Sequence, residues 1–184
     1  MDVERLLKDL NVLQEGHFLL NSGLHSKYYF EKFRILENPE SASELCSIIA
    51  DHFKEGKFDW VVGPTTGGII IAFEVARQLN KCAGFAEERG GRRIVGRGFD
   101  ISNKNVLIVD DVMTTGKSLV ETIEAVREKR GTVIGVAVLI DRCSVKLPFE
   151  YFATYRKVVE NFDPKACPLC REGIPLNKLG GWGP

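Results

Sequence analysis

The stretch Val106-Leu107-Ile108-Val109-Asp110-Asp111-Val112-Met113-Thr114-Thr115-Gly116-Lys117-Ser118 decides how this chain folds. Four consecutive apolar residues, Val106 to Val109, predict a strand covered on both faces, because a strand with one wet face alternates apolar and polar side chains. Two acids, Asp110 and Asp111, end the run. A loop of small and hydroxylated residues follows at once and opens onto a helix predicted from Gly116 to Lys129, stopped by Gly131. Strand, loop and helix in that order form the unit of an open parallel sheet, in which ligands bind just beyond the carboxyl ends of the strands.

The flanking sequence repeats this alternation. Trp60-Val61-Val62 predicts a short buried strand ending at Gly63-Pro64, then a helix from Gly68 to Leu79 with Asn80 as a left-handed cap. Ala83 to Ala86 and Val133 to Ile140 predict further strands. Asn38-Pro39 predicts a helix start, with Asn as N-cap and Pro in the first helical position, and Leu45, Ile48, Ile49 and Phe53 as its buried face. Residues 87–105, rich in glycine and arginine with little periodicity, read as a long exposed loop, partly hairpin. Near the N-terminus, Val3, Leu6, Leu7 and Leu10 make an amphipathic helical stripe, and Asn21 to Ser26 with Tyr28-Tyr29-Phe30 read as a hairpin. From Cys143 onward the chain is proline-rich, with one weak strand near Phe149 to Tyr155. The expected class is α/β, a central mostly parallel sheet flanked by helices. A single domain spans 1–184, with 1–37 and 143–184 as a small hood or cap.

Bulk properties exclude several functions. Lys+Arg and Asp+Glu both number 25, so no basic excess favours nucleic acid or an anionic membrane. The start, MDVERLLKDL, lacks the apolar stretch of a signal peptide, and no apolar run approaches the roughly 20 residues of a membrane helix. Five cysteines, an odd count, do not make a secreted disulfide framework, so the cytoplasm is the expected location.

The chemistry sits in the opening stretch. Backbone N–H groups, hydroxyls and a helix N-terminus together form a cradle for phosphate. Two carboxylates would repel that anion unless the ligand also presents hydroxyls or brings a divalent cation, and a ribose 5-phosphate unit satisfies both. Gly116-Lys117-Ser118 is not the end of a Walker A loop, which needs glycine at position 111. Gly96-Arg97-Gly98 is not a dinucleotide fingerprint, because Ile101 replaces its third glycine and it precedes a strand. The plainer reading is a capped strand–helix connection, which does not explain the whole run of acids, threonines, glycine and serine.

This segment closely resembles the phosphoribosyl pyrophosphate (PRPP) motif of the phosphoribosyltransferases. The resemblance implies PRPP contacts from Asp110, Asp111, Val112, Met113, Thr114, Thr115, Gly116, Lys117 and Ser118. Gly63-Pro64-Thr65-Thr66-Gly67-Gly68 matches that family's pyrophosphate loop, implying Thr66 and Gly67. Within the family the chain is most similar to orotate phosphoribosyltransferases. Asn21 to Phe30 resembles their serine-glycine turn and aromatic strand, which implies that Tyr29 and Phe30 lie against orotate; a buried strand is the plainer alternative. Arg142, after Leu139-Ile140-Asp141, can pair in bidentate fashion with a planar carboxylate, which orotate has and uracil and the purines lack. The resemblance adds Thr114 as a second orotate contact.

The implied activity is phosphoribosyl transfer from PRPP to orotate, with Mg2+ as cofactor, a homodimer as the assembly, and no protein side chain assigned as a direct metal ligand. A purine-base transferase sharing the PRPP site and a non-catalytic PRPP sensor are the alternatives. Three departures stand out. Asn21 and Gly67 replace lysines of the family, and the mobile catalytic loop, rich there in Lys and His, here reads Glu87-Glu88-Arg89-Gly90-Gly91-Arg92-Arg93. Arg89, Arg92 and Arg93 are expected to supply the missing cations over pyrophosphate, in their own subunit or a neighbouring one, with Arg89 grouped with Asp110 and Asp111 as catalytic; a solvated charged loop is the plainer alternative.

Cys167-Pro168-Leu169-Cys170 is a lone CxxC. With no second pair at zinc-finger spacing and His17, His25 and His52 all far upstream, free thiols in a tight proline turn are expected over a metal or redox site. His25 falls in the serine-glycine turn, from which it could approach substrate, and is assigned no catalytic role; His52 reads as structural.

Overall fold

The computed structural model describes residues 2–20 and 22–177. Asn21 and the end of the expected cap, residues 178–184, lie outside the described residues. In chain order the elements are α1 (Val3–Asp9), β1 (Leu13–Leu19), β2 (His25–Phe30), α2 (Phe33–Leu36), α3 (Pro39–Phe53), β3 (Trp60–Pro64), α4 (Gly67–Leu79), β4 (Cys82–Arg89), β5 (Arg92–Val95), β6 (Asn105–Met113), α5 (Lys117–Glu128), β7 (Thr132–Asp141), β8 (Phe152–Arg156), β9 (Asn161–Phe162) and α6 (Pro168–Arg171). They fall into two compact units, Asn38–Lys157 and the joined ends Met1–Glu37 with Val158–Pro184.

The larger unit is an α/β layer structure. Its six-stranded sheet has the order β5-β4-β3-β6-β7-β8; all neighbours are parallel except β4 and β5. Alternation along the strands feeds two cores. Val62, Ile108, Val136 and Val138 pack with Leu119, Ile123 and Val126 of α5. On the other face Gly135 lies against Phe53 of α3 and beside Leu107; a Cβ on it would come 2.7 Å from that ring and 3.3 Å from the Leu107 side chain. The helices start and stop where the sequence says. Asn38 Oδ1 accepts the N–H of Ser41 at 3.1 Å ahead of Pro39, and Asn80 takes the left-handed conformation at φ 53 to end α4.

Glu74 on α4 ties the two helices together. Its carboxylate accepts from the Ser43 hydroxyl on α3 (2.6 Å), from Gln78 (2.7 Å) and from Arg77 (2.7 Å). His52 has the structural role expected of it, stacking on Phe152 of β8 with ring centroids 4.0 Å apart.

Two segments differ from expectation. Within 87–105 the expected partial hairpin is present, but β4 outruns its expected end at Ala86: it continues to Arg89, turns at Gly90-Gly91 and returns as β5. Both glycines have positive φ, 61 and 77, as a two-residue hairpin turn demands. The period-two signal was hidden because β5 is a charged edge strand, with arginines where a buried strand carries apolar residues. After it Ile101 is fully buried and Phe99 packs on Trp60 and Phe85. Residues 143–157, assigned by sequence to the cap, group with the larger unit, because β8 pairs with β7 from Ala137↔Phe152 to Asp141↔Arg156.

The smaller unit joins the chain ends. β1, β2 and β9 form an antiparallel sheet, so a strand from the C-terminal segment extends the N-terminal hairpin. Leu7, Val12, Leu13, Phe18, Phe30 and Ile35 are buried from the N-terminal part, Val159, Cys167 and Leu169 from the tail. Asn177 adds a bridge to β1, donating to His17 O (2.7 Å) and accepting from Leu19 N–H (3.0 Å).

Candidate active site

β6 delivers Asp110 and Asp111 to the carboxyl end of the sheet, and pairing with β7 continues past both to Met113↔Asp141. Both acids are buried, at 8% and 3% exposure. Each is oriented by the chain that follows it: Asp110 Oδ1 accepts the N–H of Asp111 at 2.8 Å, and Asp111 Oδ1 accepts that of Val112. The loop Gly63 to Gly68, between β3 and α4, closes against this strand end. A Cβ on Gly63 would collide with the Gly68 carbonyl, and one on Gly68 would meet Pro64 Cδ at 2.7 Å and Asp110 Oδ1 at 3.0 Å. Both positions need glycine for closeness alone. Gly67 is buried at the start of α4, Thr66 is exposed at its N-cap, and Thr65 N–H is tied to Ala86 O at 2.9 Å.

The second loop, from β6 to α5, presents Thr114 and Thr115 to solvent and buries Gly116. Gly116 adopts φ 75, and a Cβ there would lie 2.7 Å from Leu147; this glycine serves both conformation and space. Lys117 N–H donates to Thr115 Oγ1 at 3.4 Å, and the exposed Lys117 ammonium faces Glu121 at 3.6 Å. Asp110 and Val112 to Leu119 line one small cavity at the N-terminus of α5. Hydroxyls, backbone and a buried acid thus meet at a helix start, which suits a phosphate attached to a hydroxyl-bearing group.

Arg142 follows β7 and is half-buried, with its N–H bonded to Met113 O at 2.9 Å. Its setting is built by Asp141, a residue sequence reasoning did not single out. Asp141 is buried, takes the Cys143 N–H on Oδ1 (2.7 Å), and takes Tyr151 OH (2.8 Å) and Arg156 Nε (2.6 Å) on Oδ2. Burial and the bond to Asp141 push the Tyr151 phenol above its usual range. A buried acid at a strand end beside an arginine was the available signal; Tyr151 and Arg156 left none at the level of sequence.

The arginines of the β4–β5 hairpin divide. The side chain of Arg93 is 7% exposed and donates to Ala86 O (2.9 Å) and Thr65 Oγ1 (3.3 Å), with Glu121 at 3.5 Å, so it braces the Gly63–Gly68 loop. Arg92 pairs with Glu128 at 2.6 Å. Arg89 stands exposed beside the glycine turn. Arg97, outside the expected set, forks onto Glu87 with two 2.9 Å bonds, which hold that carboxyl below its ordinary range.

Tyr29 and Phe30 belong to the smaller unit. Phe30 is buried and pairs with Leu13; Tyr29 is half-buried, 5.7 Å from the Phe18 ring, with its hydroxyl 3.4 Å from Glu31. In that unit too, Cys167 and Cys170 are free thiols as expected but do not stand alone: His17 and His25 lie against them. Sequence distance misled, since 145 residues separate His25 from Cys170 while β9 and α6 return the tail to the hairpin.

Residues 33–163 match the phosphoribosyl transferase domain family. The chain is 45% identical over 181 residues to an orotate phosphoribosyltransferase of Caldicellulosiruptor bescii, covering 96% of this chain and 94% of that one. It is 41% identical over 178 residues to an orotate phosphoribosyltransferase of Chlorobaculum parvum, covering 95% and 92%. Its fold is similar to the crystal structure of orotate phosphoribosyltransferase from Aeropyrum pernix, with a TM-score of 0.67 at 26% identity over 96% of this chain and 91% of that one. With acids, glycine loops and helix start arranged as described, and with relatives matching over nearly its whole length, this chain belongs to the phosphoribosyltransferase family, among the orotate phosphoribosyltransferases.

Proposed function

We propose that this chain transfers the phosphoribosyl group of PRPP to orotate, giving orotidine 5′-monophosphate and pyrophosphate, with the residues above in defined roles. The observation that carries the reading is the convergence of Asp110, the Gly63–Gly68 loop and the Thr114–Ser118 loop at one strand end.

Thr114 to Ser118 and the N-terminus of α5 hold the 5′-phosphate through backbone N–H groups and hydroxyls, with Val112 and Met113 shaping the wall. Asp110 and Asp111 accept from the ribose hydroxyls. Thr66 and Gly67 face pyrophosphate, and Arg89 closes over it as the hairpin cation held by no ion pair among the described residues. Arg142 and Thr114 bind the orotate carboxylate and ring edge. Tyr29 and the backbone at Phe30 are assigned to the orotate ring on the family resemblance.

In the reaction a ring nitrogen of orotate forms a bond to the anomeric carbon while that carbon's bond to the pyrophosphate oxygen breaks. No protein nucleophile is required. The chain aligns two reactants, and its buried acids stand where positive charge develops on the sugar. Adjacent carboxylates beside a phosphate cradle are a donor set compatible with Mg2+, which prefers phosphate oxygens, one or two carboxylates and retained waters. Mg2+ bound with PRPP would neutralise charge on the departing pyrophosphate, and Asp110 and Asp111 are the carboxylates of this site that could help to hold it. The same reading places the protein in the cytoplasm as a homodimer; no helix among the described residues is long and apolar enough to cross a membrane.

The test follows orotate absorbance in the presence of PRPP and Mg2+, with parallel incubations on adenine, hypoxanthine and uracil. Consumption of orotate alone, with release of pyrophosphate, supports the reading. Use of a purine would keep the PRPP site and overturn the role of Arg142.

A further inference from the structure

The smaller unit holds a polar cluster that phosphoribosyl transfer does not use. His17 on β1 is 1% exposed, His25 on β2 is 5% exposed and Cys167 is 1% exposed, while Cys170 reaches the surface. Histidines that deep need partners, because an unsatisfied buried polar group costs free energy. Nδ1–H of His17 donates to Ile174 O at 2.8 Å, which fixes the tautomer and leaves the Nε2 lone pair facing inward. Three groups converge on that single lone pair: His25 Nδ1 at 2.9 Å, Cys167 Sγ at 3.6 Å and Cys170 Sγ at 3.8 Å. One nitrogen acceptor takes one hydrogen bond, so pairwise bonding does not account for the gathering. A common centre does.

The spacing agrees. His25 Nδ1 is 3.3 Å from Cys170 Sγ, and all four donor atoms lie within 4.8 Å of one another. A tetrahedral zinc with bonds of about 2.0–2.3 Å would set its nitrogen and sulfur ligands roughly 3.3–3.8 Å apart.

The backbone is arranged to make the cluster. Pairing of β1 with β2 shifts by one residue between Glu15 and Phe18, so that Leu19 opposes His25. Without this bulge Phe18 would oppose His25 and His17 would point to the other face; with it, His17 shares the face of Leu19 and His25. Pro168 in the first position of α6 turns the chain between the cysteines, and Leu169 is buried to anchor that turn. β9 pairs with β2 at His25↔Phe162, bringing the turn back to the hairpin.

We propose that His17, His25, Cys167 and Cys170 form a structural Zn2+ site that fastens the C-terminal tail to the N-terminal hairpin. Two imidazoles and two thiolates in a tetrahedron select zinc among the common divalent metals, and four protein ligands leave no open position for substrate. The His17–Ile174 bond is the outer contact that such a histidine ligand characteristically makes. A small core divided between two distant chain segments gains most from such a staple. Cys170, at the surface, gives the ion its entry.

The test uses the full chain carrying no histidine tag. Elemental analysis of the purified protein should find about one zinc per chain, and a strong chelator should remove it with a fall in the unfolding midpoint. Co2+ added to the stripped protein should give the intense visible bands of tetrahedral coordination with thiolates. Cys167→Ser and His17→Gln should lose the metal, whereas Cys82→Ser, at the exposed cysteine of β4, should keep it. If either site variant fails to fold, the Co2+ spectrum of the unaltered chain decides. Protein that purifies without metal, gives no tetrahedral Co2+ spectrum and shows Cys167 and Cys170 joined as a disulfide would overturn the proposal.

Discussion

Gly68 stands so close to Asp110 that a methyl group on it would come 3.0 Å from the carboxylate Oδ1, and 2.7 Å from Pro64 Cδ on its other side. Neither neighbour can move freely: Pro64 is in β3, and Asp110 is held by its bond to the following N–H. Gly68→Ala should therefore displace the loop or the acid, while the helix gains from alanine's better propensity. The expected outcome is a fall in kcat/KM for PRPP of about 10- to 100-fold, or roughly 1.4–2.7 kcal/mol, with the unfolding midpoint little changed. Steady-state kinetics beside thermal denaturation checks it. Normal kinetics would mean that the contact does not position Asp110.

Asp110→Asn and Asp111→Asn test charge at constant shape. An amide oxygen can still accept the backbone N–H that each carboxylate accepts now, so the fold should survive. What is lost is the negative charge that the proposed mechanism sets against the ribose as it becomes cationic. Turnover should fall on the order of 100- to 1,000-fold in each variant, with unchanged far-ultraviolet circular dichroism. A variant near full activity would remove that acid from the proposed role.

The larger unit was legible because its strands are buried on both faces and read as apolar runs, with glycine or asparagine where the chain must turn. The stretch from Val106 to Ser118 carried strand, acids and cradle in contiguous sequence. What escaped was assembled from afar. Tyr151 and Arg156 meet Asp141 only because β8 lies beside β7, and β8 is short and weakly patterned. Arg93 could not be told from Arg89 by composition, though one braces a loop and the other faces solvent. His17 and Cys167 are 150 residues apart, and only strand pairing between the two chain ends brings them together.

Glu74 makes a pH-dependent contribution to stability. Its carboxyl is lowered from 4.5 to about 2, chiefly by the hydrogen bond from Arg77 and further by those from Gln78 and Ser43, against the opposing effect of burial. A depressed carboxyl stabilises the folded state above its ordinary pKa, and that stability fades as pH falls from about 4.5 toward 2. Arg77 is largely exposed, so screening reduces the effect to on the order of 1–2 kcal/mol. Glu74→Gln should lower stability by that amount at neutral pH, and the two denaturation curves should converge near pH 2. Parallel curves across the whole range would show that the bond network, not the charge, joins α3 to α4.

Arg142 and Asp141 separate binding from positioning. Arg142→Lys keeps the charge and removes the planar fork, so KM for orotate should rise about tenfold or more while KM for PRPP holds. Asp141→Asn acts one step back. It keeps an acceptor for the Cys143 N–H but weakens the bonds from Tyr151 and Arg156 that fix the segment after β7. Its effect should also fall on orotate, and Tyr151→Phe, which removes one of those bonds and no charge, should reproduce part of it. If Asp141 acts only through the position of Arg142, the double variant Arg142→Lys with Asp141→Asn should be little worse than Arg142→Lys alone. Additive losses in orotate KM would mean that Asp141 supports the site by a route that does not pass through Arg142.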